Sequence, residues 1–396
     1  MRRILVIADD LSGAAEIAGI GARHGLAVRL ERDAPVAARD GLTVLDTDTR
    51  LVPQDEASER VRRAVRHLRA ADFDLVYKKT DSAFRGPILA ELDALMDVFG
   101  RRTVVLVAQN PSRGRTIHDG EYRIDDVPLA ETTFAHDPEY PARTSRANEL
   151  LGKSSHRRTH VSAAPGAPAE DGVTIGEASS AADVRQWAAA VRDGATLPAG
   201  GADFFDAILE HRGLSSSRPY LTALPPGRTL MVCGTSPAFS GDVVARAQAE
   251  RVPVCPMPDH SQGSVASLEA WHAAARQALD ANGRAVIVIQ RPLDRTPGVA
   301  QRFQAALAEV VGRLLAPPGR GADNLLLEGG ATASAVCRRM NWHHFDLEGE
   351  FAPGVVQMRA LPTDGSTGHR LVIKPGSYPW PEAVWSRPGK DGGAQT

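Results

Sequence analysis

The alternation of short apolar runs with segments of helical spacing constrains the fold more than any other feature of this sequence. The run "ILVIA" (4–8) precedes a helix-like segment of small residues (12–25), and this order recurs over the first hundred residues. The next apolar runs are "AVRLER" (27–32), "TVLDTDT" (43–49), "DLVYKK" (74–79) and "TVVLVAQ" (103–109), with amphipathic segments at 53–70 and 87–100. Continuous apolar strands between amphipathic helices predict an α/β domain with a largely parallel sheet.

The alternation breaks off and later restarts, which indicates two domains. A long polar stretch (109–170) interrupts it, and a segment rich in Ser, Pro and Gly (211–228) has the composition of a boundary. Strand–turn–helix patterns then return, and "GVVQMRAL" and "RLVIKPG" are expected to complete a second sheet. We predict an N-terminal domain over 1–225, a C-terminal domain over 226–388 and a flexible tail over 389–396. The predicted architecture is two α/β lobes that face each other across an interdomain cleft.

Charge and cysteine content limit the classes of function. The formal net charge is −2, so the chain has no large basic field for nucleic acid or for a membrane surface. No apolar run approaches the ~20 residues of a membrane span, and "MRRILVIADD" is typical of a first strand and not of a secretory signal. The three cysteines are scattered and form no CxxC pair, which predicts buried thiols in a cytoplasmic protein.

Polar residues cluster where three predicted strands of the first domain end. Asp9 and Asp10 follow "ILVIA", Arg50 follows "TVLDTDT" with its two aspartates, and "VYKKTDSAFRG" (76–86) follows "DLV". Because ligands bind at the carboxyl ends of strands in open α/β sheets, these residues predict a site for a small polar molecule. Lysine and arginine beside carboxylates suit an anionic, hydroxylated ligand. The alternative is ordinary salt bridges between solvated charges at strand ends.

Two neighbouring features would add positive charge to this site. If "VYKKTD" stays extended, Lys79 and Asp81 lie on one side of the strand. Gly86-Pro87 suits a turn into a helix whose N-terminus would lie beside Arg85. After the fourth strand, Gly114-Arg115-Thr116 would bring backbone amides and a guanidinium to an anion, although loops containing Arg and Gly are common.

Two strand–turn–helix junctions of the second domain resemble phosphate-binding turns. "VCGTSPAFSG" places Ser236 before a helix, and "LEGGATA" places Gly329 and Gly330 before another. Exposed amides at a helix N-terminus suit a phosphate or nucleotide. The turn "IKPGSY" offers Gly376 as well. The alternative for each junction is a tight turn that lets strand and helix pack closely.

Several other motifs are weaker. "GIGARHG" (19–25) imitates a dinucleotide fingerprint but lies inside a predicted helix, and no P-loop motif occurs. The pairs His156 with His160 and His343 with His344 have no acidic or cysteine partners at zinc spacing, so ordinary histidines are favoured. The sequence around Ser236 lacks the G-x-S-x-G form, which disfavours a hydrolase.

Six separated motifs, taken in order, resemble those of the four-carbon acid sugar kinases. They are "IADDLSGAAEIA", "DTDTR", "YKKTDSAFRG", "GRTIHDGEYRIDDVPLAETTFAHDP", "GTSP" and "GGATASAV", and the resemblance runs from Ile4 to about Trp385. It implies an N-terminal acid-sugar-binding domain, a C-terminal ATP-binding domain and phosphorylation of the terminal hydroxyl of threonate, erythronate or 3-oxo-tetronate. The Lys-Lys-Thr-Asp-Ser form is more similar to the threonate and erythronate kinases than to the 3-oxo-tetronate kinases.

The resemblance also implies roles for individual residues. Asp10, Arg50, Lys79, Thr80, Asp81 and Ser82 would hold the sugar acid, and Ser236, Gly329, Gly330, Ala331, Thr332 and Gly376 would hold ATP. Arg50 and Lys79, with Arg85 and Arg115, would neutralise the substrate carboxylate and the transferring phosphoryl group. Asp81 is the first candidate for orienting or deprotonating the hydroxyl, and Asp10 is the second. Mg²⁺ is expected with ATP, its ligands are not assigned, and a homo-oligomer is compatible with the sequence.

The chain departs from the family pattern in its second half. Ala331 stands where an acidic residue often follows the two glycines, and the last turn reads "KPGSYPWP" where many relatives have an ending like GxFG. These departures motivate an alternative function, a non-catalytic sensor that binds a sugar acid and has a degenerate nucleotide site.

Overall fold

The computed structural model describes residues 2–33, 36–137, 139–152, 157–163, 165, 171–191, 194–234, 237–258, 265–291, 296, 298–315, 321–362 and 368–386. The chain divides into two compact units, Met1–Arg218 and Pro219–Thr396. Both units are mixed α/β structures, and each has a largely parallel sheet, as predicted. The predicted flexible tail lies outside the described residues. No helix in the described ranges is long and apolar enough to cross a membrane.

The first unit is built on a parallel sheet of eight strands. Its strands in chain order are β1 (Arg3–Ala8), β2 (Val28–Arg32), β3 (Gly41–Asp46), β4 (Leu75–Lys79), β5 (Thr103–Val107), β6 (Arg115–His118), β7 (Glu121–Ile124), β8 (Val127–Pro128), β9 (Thr159–Ser162), β10 (Gly172–Gly176) and β11 (Thr196–Gly200). The large sheet has the order β2-β3-β1-β4-β11-β5-β10-β9, and its residues are almost all buried, which explains the continuous apolar runs.

The helices of the first unit cover the sheet. They are α1 (Leu11–Arg23), α2 (Gln54–Val65), α3 (Ile88–Phe99), α4 (Ala147–Leu151), α5 (Ala181–Ala190) and α6 (Ala202–His211). Small residues let α1 approach the strands closely, because a Cβ on Gly21 would lie 2.2 Å from a methyl carbon of Leu42. Helix α1 packs on α6, and α2 packs on α3.

The polar stretch at 109–170 contains more regular structure than its composition indicates. Strands β6, β7 and β8 form a small antiparallel sheet. Asp119 and Gly120 connect β6 to β7 with positive φ angles of 49° and 73°, the backbone that a two-residue hairpin turn requires. The Asp-Gly pair in "HDGEY" is therefore the sequence signal for this hairpin.

The strands of the second unit are β12 (Thr229–Cys233), β13 (Val254–Pro256), β14 (Arg284–Val288), β15 (Asn324–Glu328), β16 (His344–Ala352), β17 (Val355–Leu361) and β18 (Arg370–Lys374). The order is β13-β14-β12-β15-β18-β17-β16; the first five strands are parallel, and β17 pairs antiparallel with both neighbours. The helices are α7 (Pro237–Ala249), α8 (Val265–Asn282), α9 (Val299–Leu315) and α10 (Gly330–Met340). The prediction that the last two apolar runs complete this sheet is confirmed. Cys233, Cys255 and Cys337 are buried cysteines that form no disulfide with one another.

Candidate functional site

The first unit has a topological switch point between its central strands β1 and β4. Lys78 and Lys79 are neighbours in β4 and therefore point to opposite faces of the sheet. Lys78 Nζ lies 3.0 Å from Glu91 Oε2 of α3, and Lys79 Nζ lies 3.2 Å from Glu16 Oε2 of α1. The helices that follow β1 and β4 thus lie on opposite faces, which is the arrangement that opens a ligand crevice at the carboxyl ends of the strands.

Arg50 joins the three strand ends that the sequence singles out. Its Nε and Nη2 donate to the two carboxylate oxygens of Asp9 at 2.7 and 3.0 Å. Its Nη1 lies 2.7 Å from Asp10 Oδ2 and 3.6 Å from Asp81 Oδ1. Burial alone would raise the pKa of Asp9, but Arg50 and Lys78 outweigh it and lower the pKa of that carboxyl. The predicted site residues Asp10, Arg50 and Asp81 therefore form one cluster of charges.

Asp10 is also the N-cap residue of helix α1. Its Oδ1 accepts from Gly13 N at 2.8 Å, and its Oδ2 accepts from Ser12 Oγ at 2.7 Å. A side-chain acceptor at this position satisfies an N–H group that has no partner within the helix. The same carboxylate thus fixes the start of α1 and faces Arg50. Gly13 leaves room for it, because a Cβ on Gly13 would lie only 2.8 Å from Asp10 Oδ1.

Arg85 holds Asp81 in a two-point contact. Arg85 Nε donates to Asp81 Oδ2 at 2.9 Å, and Nη2 donates to Oδ1 at 2.8 Å. Oδ2 also accepts from the backbone amides of Ala83 and Arg85, at 3.0 and 3.3 Å. Burial would raise the pKa of Asp81, yet Arg85 and Arg50 outweigh burial and hold this pKa well below its usual value. Asp81 is consequently a fixed anion and a weak base.

The prediction that Lys79 and Asp81 lie on one side depends on an extended "VYKKTD", and the strand does not continue as far as Asp81. Strand β4 ends at Lys79, so the alternation of sides stops there. Lys79 is buried, and besides Glu16 it contacts Thr80 O, to which Nζ donates at 3.0 Å. Its charge is therefore already compensated by α1, and the accessible positive charge beside Asp81 comes from arginine.

Thr80, Ser82 and Arg115 complete the sugar-acid residues proposed from the sequence. Thr80 is buried, its amide donates to Gly200 O at 3.0 Å, and its hydroxyl has no hydrogen-bond partner among the described residues. Arg115 Nη1 donates to Ser82 Oγ. The predicted turn at Gly114 and Arg115 does not offer both amides to an anion, because these amides donate to Pro111 O and Asn110 O. Arg115 contributes its side chain alone.

A segment that the sequence analysis did not assign to the site lies against these arginines. The guanidinium carbon of Arg85 lies 5.3 Å from the ring centroid of Phe134, and that of Arg115 lies 5.6 Å from it. Asp137 Oδ2 accepts from Arg85 Nη1 at 3.0 Å, and Tyr140 OH donates to Arg50 O at 2.7 Å. We call the described residues 133–137, 139 and 140 the cover segment. Nothing in its local pattern shows which strand ends it contacts.

In the second unit, the Gly-Gly turn connects β15 to α10. Gly329 has a φ of 90° and donates its amide to Lys374 O at 2.9 Å, and α10 begins at Gly330. The first N–H groups of a helix have no acceptor within it, so Gly330, with the exposed Ala331, begins a turn suited to an anion. Thr332 is buried. It packs so closely on Gly234 that a Cβ added to this glycine would lie 2.2 Å from Thr332 Oγ1. Ser236 lies outside the described residues.

A buried ion pair fixes the turn that contains Gly376. Lys374 Nζ lies 2.9 Å from Glu328 Oε2 and donates to Pro375 O and Gly376 O at 3.2 and 3.3 Å. Trp380 Nε1 donates to the same Glu328 oxygen at 2.9 Å. These three side chains and two carbonyls link the ends of two neighbouring strands, β15 and β18. The turn "IKPGSY" predicts Gly376 at this place, whereas no sequence motif assigns a role to Glu328 or Trp380.

The described histidines add little to the case for a resident metal. His118, Asp119 and Glu177 bring their ligand atoms within 4.8 Å of one another, but His118 and Asp119 are exposed. His160 Nε2 bonds to Thr174 Oγ1 at 3.1 Å, and His343 Nε2 bonds to Asn341 Oδ1 at 3.0 Å. His156 lies outside the described residues.

Comparison with solved structures shows the same fold. A protein from Salmonella typhimurium LT2 is 20% identical with a TM-score of 0.74, and the match covers 95% of this chain and 96% of that one. A protein from Haemophilus influenzae is 22% identical with a TM-score of 0.67, and the match covers 94% of this chain and 96% of that one.

Among curated relatives, the D-threonate kinase of Salmonella typhimurium is 37% identical over 158 residues. The D-erythronate kinase of Heliobacterium modesticaldum is 32% identical over 162 residues. Each of these alignments covers 39% of this chain but only 37% of the relative's length. The 3-oxo-tetronate kinase of Haemophilus influenzae is 25% identical over 407 residues, which cover 94% of this chain and 96% of that protein.

Two domain families together match most of the chain. Residues 4–207 match the sugar-binding N-terminal domain, and residues 240–378 match the nucleotide-binding C-terminal domain. Together with the relatives named above, these matches confirm the resemblance drawn from the six sequence motifs. The chain belongs to the four-carbon acid sugar kinase family, whose members combine this sugar-binding domain with this nucleotide-binding domain.

Proposed function

We propose that the protein is an ATP-dependent kinase that phosphorylates the terminal hydroxyl of a four-carbon sugar acid. The observation that carries the proposal is the charge cluster at the β1/β4 switch point, where Arg50 Nη1 lies between Asp10 and Asp81. A guanidinium between carboxylates, with Arg85 beside it, provides both a site for an organic anion and acceptors for its hydroxyl groups. The cluster lies within the sugar-binding domain.

The arginines and the aspartates would bind different groups of the substrate. Arg85 is half-exposed, with 28% of its side chain accessible, and is the candidate for holding the substrate carboxylate together with Arg115. Asp81 Oδ1 accepts one hydrogen bond, from Arg85, whereas Oδ2 accepts three. A carboxylate oxygen has two lone pairs, so Oδ1 is the Asp81 atom suited to accept a hydrogen bond from the substrate hydroxyl.

Asp81 orients this hydroxyl better than it deprotonates it. A general base works best when its pKa is near the working pH, and the pKa of Asp81 is held well below that range. Phosphoryl transfer depends mainly on positioning and on charge stabilisation, so a weakly basic aspartate is adequate. Asp10, which shares Arg50 Nη1 with Asp81, is the second candidate for the same role.

The second unit would hold the nucleotide. Gly329, Gly330, Ala331 and Thr332 form the start of α10, and the Gly376 turn is fixed beside it through Lys374. Mg²⁺ would accompany the phosphates of ATP, where it would neutralise their charge. Glu328 is the acidic residue at the end of strand β15, and it is already paired with Lys374. One carboxylate of this kind suits a metal ion whose other ligands are chiefly phosphate oxygens. The interdomain cleft drawn from the sequence stays a prediction.

Among the four-carbon acids, threonate and erythronate are our first candidates. The "KKTDS" motif resembles that of their kinases, and the relatives of this kind share 32–37% of residues over the aligned part. The 3-oxo-tetronate kinases share 24–31% of residues over their aligned parts, so identity alone does not separate the two groups, and their substrate is the second candidate. The curated kinases support an enzyme over a non-catalytic sensor, and we propose the cytoplasm as its location.

A panel of four-carbon acids with Mg-ATP tests the proposal. We expect ADP release only when a threonate, erythronate or 3-oxo-tetronate acid is present, with one phosphorylated acid formed for each ADP. Asp81→Asn should lower kcat/KM by about 100-fold or more, because the three donors to Oδ2 keep the amide oxygen at that position and the NH2 group, which is not an acceptor, then faces the hydroxyl. An unchanged rate in this variant would remove Asp81 from the role. No heat on titration with millimolar Mg-ATP would favour the sensor instead.

A further inference from the structure

The contact between Asp137 and Arg85 has a consequence for substrate binding. The Arg85 guanidinium uses Nε and Nη2 for Asp81 and Nη1 for Asp137. A substrate carboxylate that binds a guanidinium end-on in a bidentate pair needs both Nη1 and Nη2. Asp137 therefore holds one of the two nitrogens that the substrate carboxylate would use.

Charge makes the two carboxylates mutually exclusive. Arg85 already faces Asp81, which is 7% exposed, and Asp137, which is 15% exposed. A third carboxylate on the same guanidinium would meet like charge in a partly desolvated place, which disfavours it. The substrate and Asp137 should thus compete for Arg85.

The hydrogen bonds that form the turn at Asp137 do not include its contact with Arg85. Asp137 Oδ1 accepts from the amides of Glu139 and Tyr140 at 3.0 and 2.9 Å, while Oδ2 alone contacts Arg85. The turn and the ion pair use different oxygens. Phe134 and the bond from Tyr140 to Arg50 O hold the two ends of the segment independently.

We propose that Asp137 is an internal competitor for Arg85, and that a sugar acid binds by displacing its carboxylate. This proposal rests on the proposed function. It makes Asp137 a residue that limits affinity and favours ligands whose carboxylate can replace its own. An uncharged four-carbon alcohol cannot replace a carboxylate on Arg85 and gains nothing from the exchange.

Two substitutions of Asp137 test this without removing the turn. Asp137→Asn retains an acceptor oxygen for the two amides, and Asp137→Ser retains a hydroxyl that can serve a similar turn. Glu131→Gln is the matched control, since it removes one negative charge from an exposed residue just before the cover segment. Thermal unfolding of the full-length variants checks that each one folds.

Calorimetric titration with D-threonate and D-erythronate measures the effect. Partly exposed ion pairs contribute little, so both Asp137 variants should bind the acid about two- to fivefold more tightly, with KM lowered and kcat nearly unchanged. Glu131→Gln should leave affinity unchanged, and inhibition by threitol should not respond to any of the substitutions. Unchanged or weaker binding of the acid in both Asp137 variants would overturn the proposal.

The outcomes also separate this proposal from the one on which it rests. If the native chain binds and phosphorylates a four-carbon acid but the Asp137 variants do not bind it more tightly, the competition alone is wrong. If the native chain neither binds nor phosphorylates any of these acids, the proposed function is wrong, and the competition is overturned with it.

Discussion

The carboxyl ends of the strands carry different chemistry in the two units. In the first unit, ionised side chains from several strand ends contact one another, with Arg50 in the middle. In the second, main-chain groups of the turns at Gly329 and Gly376 dominate, and the buried pair of Lys374 with Glu328 holds them. A carboxylate ligand calls for guanidinium groups, whereas a phosphate chain can be bound by amides at a helix start.

The two sites also differ in the kind of substitution that would destabilise them. The charge network of the first unit needs every partner, because a buried charge left unpaired is costly. In the second unit, Gly234 after strand β12 needs space, because a Cβ there would lie against the side chains of Thr332 and Gln304. Substitutions of one charge and of one glycine should therefore expose the two different sensitivities.

The largest effect is expected for Lys78→Met in the first unit. Lys78 and Glu91 are both fully buried, so the substitution leaves Glu91 with an uncompensated charge. We expect a loss of about 3–5 kcal/mol in the free energy of unfolding, measured by urea denaturation. Replacing Glu91 by Leu in the same chain should restore much of this loss.

Arg102→Met is the control for Lys78→Met. Arg102 pairs with Asp171 at the surface, where the two side chains are 75% and 55% exposed. Its replacement should change the free energy of unfolding by less than about 1 kcal/mol. Equal effects of the two substitutions would mean that burial does not set the cost of breaking these pairs.

A smaller effect is expected for Gly234→Ala in the second unit. A Cβ there would lie 2.2 Å from Thr332 Oγ1 and 2.7 Å from Gln304 Oε1, so neighbouring side chains must move. We expect a loss of about 1–3 kcal/mol in stability, with weaker ATP binding because Thr332 lies in the first turn of α10. Sugar-acid binding should not change.

Gly241→Ala serves as the matched control for Gly234→Ala. Gly241 lies exposed in helix α7, and a Cβ there has no neighbour within 4 Å. Because Gly is about 0.5–1 kcal/mol less favourable than Ala within a helix, this variant should be slightly more stable. ATP affinity that falls equally in both glycine variants would contradict the role of space around Thr332.

The sequence predicts the strand-end charges well but not their partners. Alternating apolar runs locate β1, β3 and β4, and the charges that follow them are local in sequence. Lys79 shows the limit of this reasoning, because its partner Glu16 lies on a helix more than sixty residues earlier and only tertiary packing brings the two together. A pattern that alternates along a strand has no information about residues beyond the strand's end.

The cover segment illustrates the same limit. Local signals such as Asp119-Gly120 identify a hairpin turn, but they do not predict that Asp137 reaches Arg85 across fifty-two positions. In the second unit, the Gly-Gly turn is visible in the sequence, whereas the contact of Trp380 with Glu328 is not. Motif reasoning therefore finds groups at the edge of a sheet and misses the residues that restrain them.

The division of labour between the units can be tested most directly with Arg85→Gln. Calorimetric titrations of the full-length native chain and of this variant should use a four-carbon acid in one series and Mg-ATP in the other. We predict that affinity for the acid falls by about 10- to 100-fold, as expected for losing hydrogen bonds to a charged group, while ATP affinity stays within about twofold. Unchanged affinity for the acid, or an equal loss of both ligands, would contradict the account.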